Sequence, residues 1–81
     1  MTYYVYGAIG SKATEKTVLL LTICKRKYKL FILGEDYTVA QLQKLVPNTN
    51  FVPHIYHEFK YIGGTNELHD YLYDELRIEK S

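Results

Sequence analysis

Two nearby stretches decide how this chain is read: Phe51-Val52-Pro53-His54-Ile55-Tyr56 and, four residues later, Tyr61-Ile62-Gly63-Gly64-Thr65-Asn66-Glu67-Leu68. The first is aromatic and β-branched, as a strand requires. Its early Pro53 cannot donate to a ladder, so the proline belongs at the strand start or on an edge. His57-Glu58 makes a turn, Phe59 to Ile62 forms a further strand, and Gly63-Gly64 breaks it. Beyond the break, Leu68, Tyr71, Leu72 and Leu76 recur at helical spacing and mark one face of a closing helix.

Working outward, Thr38 and Gln41 have capping-box spacing. Val39, Leu42, Leu45 and Val46 then lie on one face of a short helix stopped by Pro47, and Asn48-Thr49-Asn50 is the loop that follows. Thr2 to Tyr6 is a strand ending at Gly7, and Tyr28 to Leu33 is another closed by Gly34. Between them, Thr17 to Ile23 suits a buried strand by composition, whereas Thr17, Leu20, Leu21 and Cys24 recur at helical spacing. Periodicity alone leaves both open. The basic run Lys25-Arg26-Lys27 reads as a solvated helix end that complements the carboxyl-terminal pole of a preceding helix. With a helix in the ambiguous segment, the order is β-α-β-α-β-β-α, a parallel pair joined by a right-handed crossover and a terminal hairpin.

At 81 residues the chain is expected to be a single domain, residues 1–81, burying roughly 60% of its unfolded surface. A net charge of +1 carries no large field of either sign, so a dedicated nucleic-acid partner is not expected. No apolar run approaches membrane-spanning length, and no membrane partner is expected. The one cysteine, Cys24, cannot form an internal disulfide, which points to a reducing, cytoplasmic setting. A monomer is expected. His54, His57 and His69 are spread over a strand, a turn and a helix and read as surface or turn histidines, with no metal site. The nine tyrosines and absent tryptophan stand out. Ordinary strand and core use is favoured over a dedicated surface.

The pair of stretches resembles the T-V-P-x-I-F and I-G-G-x-x-x-L signature of glutaredoxins, and the Val5-Tyr6-Gly7-Ala8-Ile9-Gly10 run falls where that family has its first strand and active-site loop. The resemblance spans nearly the whole chain. It implies an α/β thioredoxin-like fold, a four-stranded mixed sheet with helices on both faces. It resolves the ambiguous segment as a helix from about Thr14 to Cys24. It also implies a cis Val52-Pro53 bond whose kink offers the Val52 backbone to an extended peptide such as glutathione, and a helix amino terminus at Thr65 and Asn66 that takes a carboxylate.

In that register the family's C-P-Y-C motif falls on Ser11-Lys12-Ala13-Thr14. Disulfide exchange needs a thiolate at the head of the helix, and a serine hydroxyl has no comparable anion near neutral pH. The resemblance therefore implies no catalytic residue and no thiolate for an iron-sulfur cluster. The basic residue many relatives carry three positions before the first cysteine corresponds to Ala8, and the motif's tyrosine to Ala13. Glutathione binding is expected to be weak or absent, and no other cofactor is expected. Cys24, on the inward stripe of the helix, is expected to pack as a small hydrophobe.

The expected function is that of a redox-inactive glutaredoxin-like module that binds or regulates another protein. Its groove would comprise Ser11, Lys12, Val52, Pro53, Gly63, Gly64, Thr65 and Asn66, with Tyr6, Tyr56 and Tyr61 as aromatic anchors. Compactness and a rewritten loop are features of phage-encoded relatives, so a viral protein in the host cytoplasm is implied. The alternative is a residual glutathione-binding oxidoreductase or glutathione carrier. A third reading, nucleic-acid binding through Lys25, Arg26, Lys27 and Lys29, ranks last on net charge.

Overall fold

The computed structural model describes residues 1–47, 49 and 51–80, the last five by their backbone course. The expected loop residues Asn48 and Asn50 and the side chain of Leu76 lie outside the described residues. The elements run β1 (Thr2–Gly7), α1 (Lys12–Ile23), β2 (Lys27–Ile32), α2 (Val39–Leu45), β3 (His54–His57), β4 (Lys60–Gly63) and α3 (Thr65–Lys80). The strands form one sheet in the order β2-β1-β3-β4. β1 and β2 are parallel, joined by α1, whereas β3 pairs antiparallel with both β1 and β4.

Alternation along β1 sorts its side chains between two layers. Tyr3 and Val5 point into a core completed by Leu21 of α1, Ile55 of β3, and Leu68 and Leu72 of α3. Each fully buried aliphatic side chain there contributes roughly 1.5–3 kcal/mol. Tyr4 and Tyr6 point the other way, where α2 lies: Tyr37 packs edge-on against Tyr6 at 5.4 Å and Tyr56 reaches the Leu45 carbonyl at 3.5 Å. Helices α1 and α3 thus cover one face and α2 covers part of the other. The capping box of α2 is complete, with Gln41 N–H donating to the Thr38 hydroxyl and Thr38 N–H to the Gln41 side chain.

Several boundaries differ from expectation for identifiable reasons. β3 starts at His54, not Phe51, because the imide Pro53 has no N–H for the ladder and residues 51–53 bend. α1 starts at Lys12, two residues before the expected Thr14, because Ser11 caps it, and Cys24 is its C-cap. The basic run divides: Lys25 turns the chain at a φ of +56°, Arg26 pairs with Glu75 of α3 at 3.2 Å, and Lys27 opens β2. Among the described residues, no helix is long and apolar enough to cross a membrane.

Candidate functional site

The first turn of α1 is built from hydroxyls. The Ser11 Oγ accepts from the Thr14 N–H at 3.2 Å, satisfying one of the helix's free donors. Thr14 is buried, and its own Oγ1 accepts from the Ala8 N–H at 3.2 Å, which ties the preceding loop to the helix. The same threonine explains Gly7, because the Thr14 methyl stands where a Cβ on residue 7 would have to be. In chemical terms the head of α1 presents a capping hydroxyl and no thiol. Cys24 sits at the far end of the helix, about 20 Å away at 1.5 Å per residue, half-buried against the core.

The second wall is the bend before β3. The Val52-Pro53 bond is cis, and Pro53 is buried. Among the described residues, neither the N–H nor the C=O of Val52 pairs with another backbone group. His54 beneath it is fully buried. One ring nitrogen meets the Tyr61 hydroxyl at 2.7 Å and the other the Thr49 hydroxyl, while the half-exposed Phe51 ring packs 4.3 Å away. Burial pushes the His54 pKa below its usual value, and a hydrogen bond with the Phe51 backbone opposes this in part.

The third wall is the start of α3. Gly63 has a φ of +128°, which only glycine adopts without strain, and a Cβ there would also press on Glu67 at 2.9 Å. The Glu67 carboxylate turns back to accept the Gly64 N–H at 2.9 Å, so the chain's own acid occupies a donor of this helix pole. The hydroxyls of Thr65 and Thr17 lie 2.8 Å apart and at 3.0 and 2.9 Å from the Ala13 carbonyl, lacing α3 to α1.

Between these walls lies a groove of about 320 Å³, lined by Ala13 and Lys16 of α1, by Phe51, Val52 and Pro53, and by Gly64 to Glu67. A neighbouring cavity of about 290 Å³ continues past Lys16 and Asn66 to His69 and Asp70. The structure brings Val52, Pro53, Gly64, Thr65 and Asn66 together here, with Ala13. It places Ser11, Lys12 and Gly63 outside the lining, the first two at the cap of α1 and the third buried at the end of β4.

Lys16, Phe51 and Glu67 are additions. Lys16 follows Ala13 by three positions and so shares its helix face, and Glu67 follows Gly64 at the capping-box interval. Tyr6, Tyr56 and Tyr61 are not anchors of this groove, because they lie on the opposite side of the sheet. The histidine expectation is corrected too. His54 is a core residue, and His57 is stacked on Tyr3 with centroids 4.1 Å apart and hydrogen-bonded to the Tyr71 hydroxyl at 2.8 Å. Only His69 is exposed. Among the described residues, no three His, Cys, Asp or Glu side chains converge as a metal site requires.

No protein-family model and no curated protein sequence matches the chain. Solved structures do. Reduced glutaredoxin from Escherichia coli superposes with a TM-score of 0.79 at 20% identity, over 95% of this chain and 99% of that one. Glutaredoxin 1 from Francisella tularensis, complexed with cacodylate, superposes with a TM-score of 0.73 at 20% identity, over 94% and 96% of the two chains. The fold is the glutaredoxin-like thioredoxin fold, and with a single cysteine in its sequence the chain cannot form a two-cysteine active site.

Proposed function

We propose that this chain is a redox-inactive glutaredoxin-like protein that binds an extended segment of another protein in the groove between α1, Pro53 and α3. The observation that carries the reading is a separation of two assets. The docking wall keeps beside Pro53 the Val52 backbone, which pairs with no other backbone group among the described residues, whereas the head of α1 offers Ser11, whose hydroxyl is engaged as a cap acceptor. An extended peptide gains main-chain hydrogen bonds from an exposed edge, and the apolar Phe51 and Ala13 give its side chains a place to rest. Disulfide exchange, by contrast, needs a thiolate that serine does not supply. The small size and rewritten loop suit a phage-encoded protein acting on a host partner in the host cytoplasm.

The competing reading, a glutathione carrier, is disfavoured by Glu67. Its carboxylate already holds the Gly64 N–H and repels a ligand carboxylate approaching the same pole. Selection of extended peptides on the immobilised protein, followed by amide shift mapping, tests the proposal. Selected peptides are expected to move Val52, Gly64 and Thr65, glutathione is expected to leave them in place, and a hydroxyethyl disulfide assay is expected to run at the blank rate. Turnover above blank, or peptides that map elsewhere, would overturn it.

A further inference from the structure

The sheet face turned away from α1 and α3 has an order that the total charge hides. Lys29 of β2, Tyr4 of β1, Tyr56 of β3 and Tyr61 of β4 are successive cross-strand partners, so one row across all four strands carries a cation and three tyrosines. In the next row Phe31 lies nearly parallel to Tyr6, with centroids 5.1 Å apart. Tyr6 lies 6.0 Å from Tyr56, and Tyr56 5.2 Å from Tyr61, which makes the aromatic layer continuous. α2 covers only one end of it. Beside Leu45 a groove of about 310 Å³ opens over Tyr4, Tyr6 and Tyr56, with Glu58 in its lining and the wholly exposed Phe59 at its rim.

Charge on this face is one-sided in its pairing. Lys27 and Lys29 are exposed on the edge strand and share the face of Tyr4 and Phe31 by alternation. Among the described residues, no carboxylate lies within ion-pair distance of either. The nearby carboxylates are engaged with the backbone, Glu58 accepting from the Thr2 N–H at 2.6 Å and Asp36 from the Ile32 N–H at 2.8 Å.

We propose that this face binds single-stranded nucleic acid, its bases against Tyr4, Tyr56 and Phe59 and its phosphates along Lys27 and Lys29. A repeating polyanion with flat π-faces complements an aromatic row edged by the exposed cations Lys27 and Lys29, and stacking on a four-stranded sheet needs no base sequence. The near-neutral total charge limits affinity, not placement.

Fluorescence anisotropy with labelled oligothymidylate and oligouridylate of about ten nucleotides tests it. The expected dissociation constant at low salt is roughly 10⁻⁴–10⁻⁶ M, and the Lys27→Ser/Lys29→Ser variant should flatten the log-log salt slope by about 1.4, twice the 0.7 expected per neutralised phosphate. Phe59→Ala, which removes a ring that packs on nothing, and Tyr4→Leu, which keeps apolar bulk, should each weaken binding several-fold and leave the slope unchanged. A duplex of matching length should bind more weakly. Four results would each overturn the proposal: no binding at low salt, equal binding of duplex, indifference to both sets of variants, or amide shifts on this face from an acidic proline-rich peptide but not from the oligonucleotide. The last would assign the face to a protein partner.

Discussion

The hydroxyl of Thr65 stands 3.0 Å from the carbonyl oxygen of Ala13, so the first turns of α3 and α1 are joined by a polar contact at the floor of the groove. Thr17 shares the same carbonyl, and the three oxygens form one part-buried cluster. Thr65→Val keeps the shape of the side chain and removes its hydroxyl. It should cost about 1 kcal/mol, the net worth of one such bond, because Thr17 still satisfies Ala13. Urea unfolding reads the loss, and amide shifts should be confined to residues 13, 17 and 64–67. Thr65→Ser should restore both.

His54 sets the acid side of stability. Its buried ring is held neutral between Tyr61 and Thr49, with a folded pKa below the unfolded one. In the unfolded chain the ring takes up a proton near pH 6.5, while the folded ring resists. The unfolded state then binds more protons, and stability falls as pH drops below about 6.5. Carboxylates titrate at lower pH, so the diagnostic is a difference. The stability gap between the native chain and His54→Asn should be widest above that pH and shrink beneath it, as measured by urea midpoints.

The alkaline side belongs to Tyr3. Burial, chiefly, and then its 2.9 Å hydrogen bond to Glu75 hold the hydroxyl far above its usual pKa. A folded pKa raised above the unfolded value of about 10 gives stability that is complete below that pH and drains as pH rises beyond it. Tyr3→Phe removes the ionisable group and should flatten this alkaline decline. Its cost at neutral pH should be about 1–2 kcal/mol, because Glu75 loses one partner yet keeps Arg26. Ultraviolet difference titration should show Tyr3 ionising only as the native chain unfolds.

Much of the architecture was legible because local chemistry and tertiary role agree. Thr38 and Gln41 announce α2 by reciprocal capping, and Gly63-Gly64 separates β4 from α3 because one of the two must hold a positive φ. The ambiguous first helix follows from its own surface: Leu19 and Ile23 are apolar yet exposed, so only the Thr17, Leu20, Leu21, Cys24 stripe carries the burial signal. Alternation divides the tyrosines between two faces but cannot say which face borders the groove, so the sequence alone does not show that Tyr6, Tyr56 and Tyr61 stand outside its lining. Local spacing ties Lys16 to Ala13 and Glu67 to Gly64, but that these two pairs face Phe51 across one groove follows from contacts between segments distant in sequence, which no local pattern encodes. The burial of His54 was unreadable for the same reason, since its partner Tyr61 sits on the neighbouring strand.

Restoring one sulfur atom is the most direct interrogation of the site. If the head of α1 retains the electrostatics of a glutaredoxin-type scaffold, a cysteine at its cap lies at the positive pole of a twelve-residue helix, where a thiolate is stabilised. Ser11→Cys should therefore carry a thiol with a pKa below the free value of about 8.5, read from the pH dependence of iodoacetamide alkylation. Combining it with Cys24→Ser removes the native thiol from the signal. The thiolate would attack the sulfur of a mixed disulfide, forming a new disulfide and releasing the other thiolate, so hydroxyethyl disulfide turnover should rise above blank. Loss of the Ser11 cap should cost up to about 1 kcal/mol. A thiol that titrates at its free value and stays inert would mean that the loop from Gly7 to Ser11 has lost the geometry of the reaction as well as its nucleophile. That outcome would leave the groove at Val52 as the one feature of the site still fit for use.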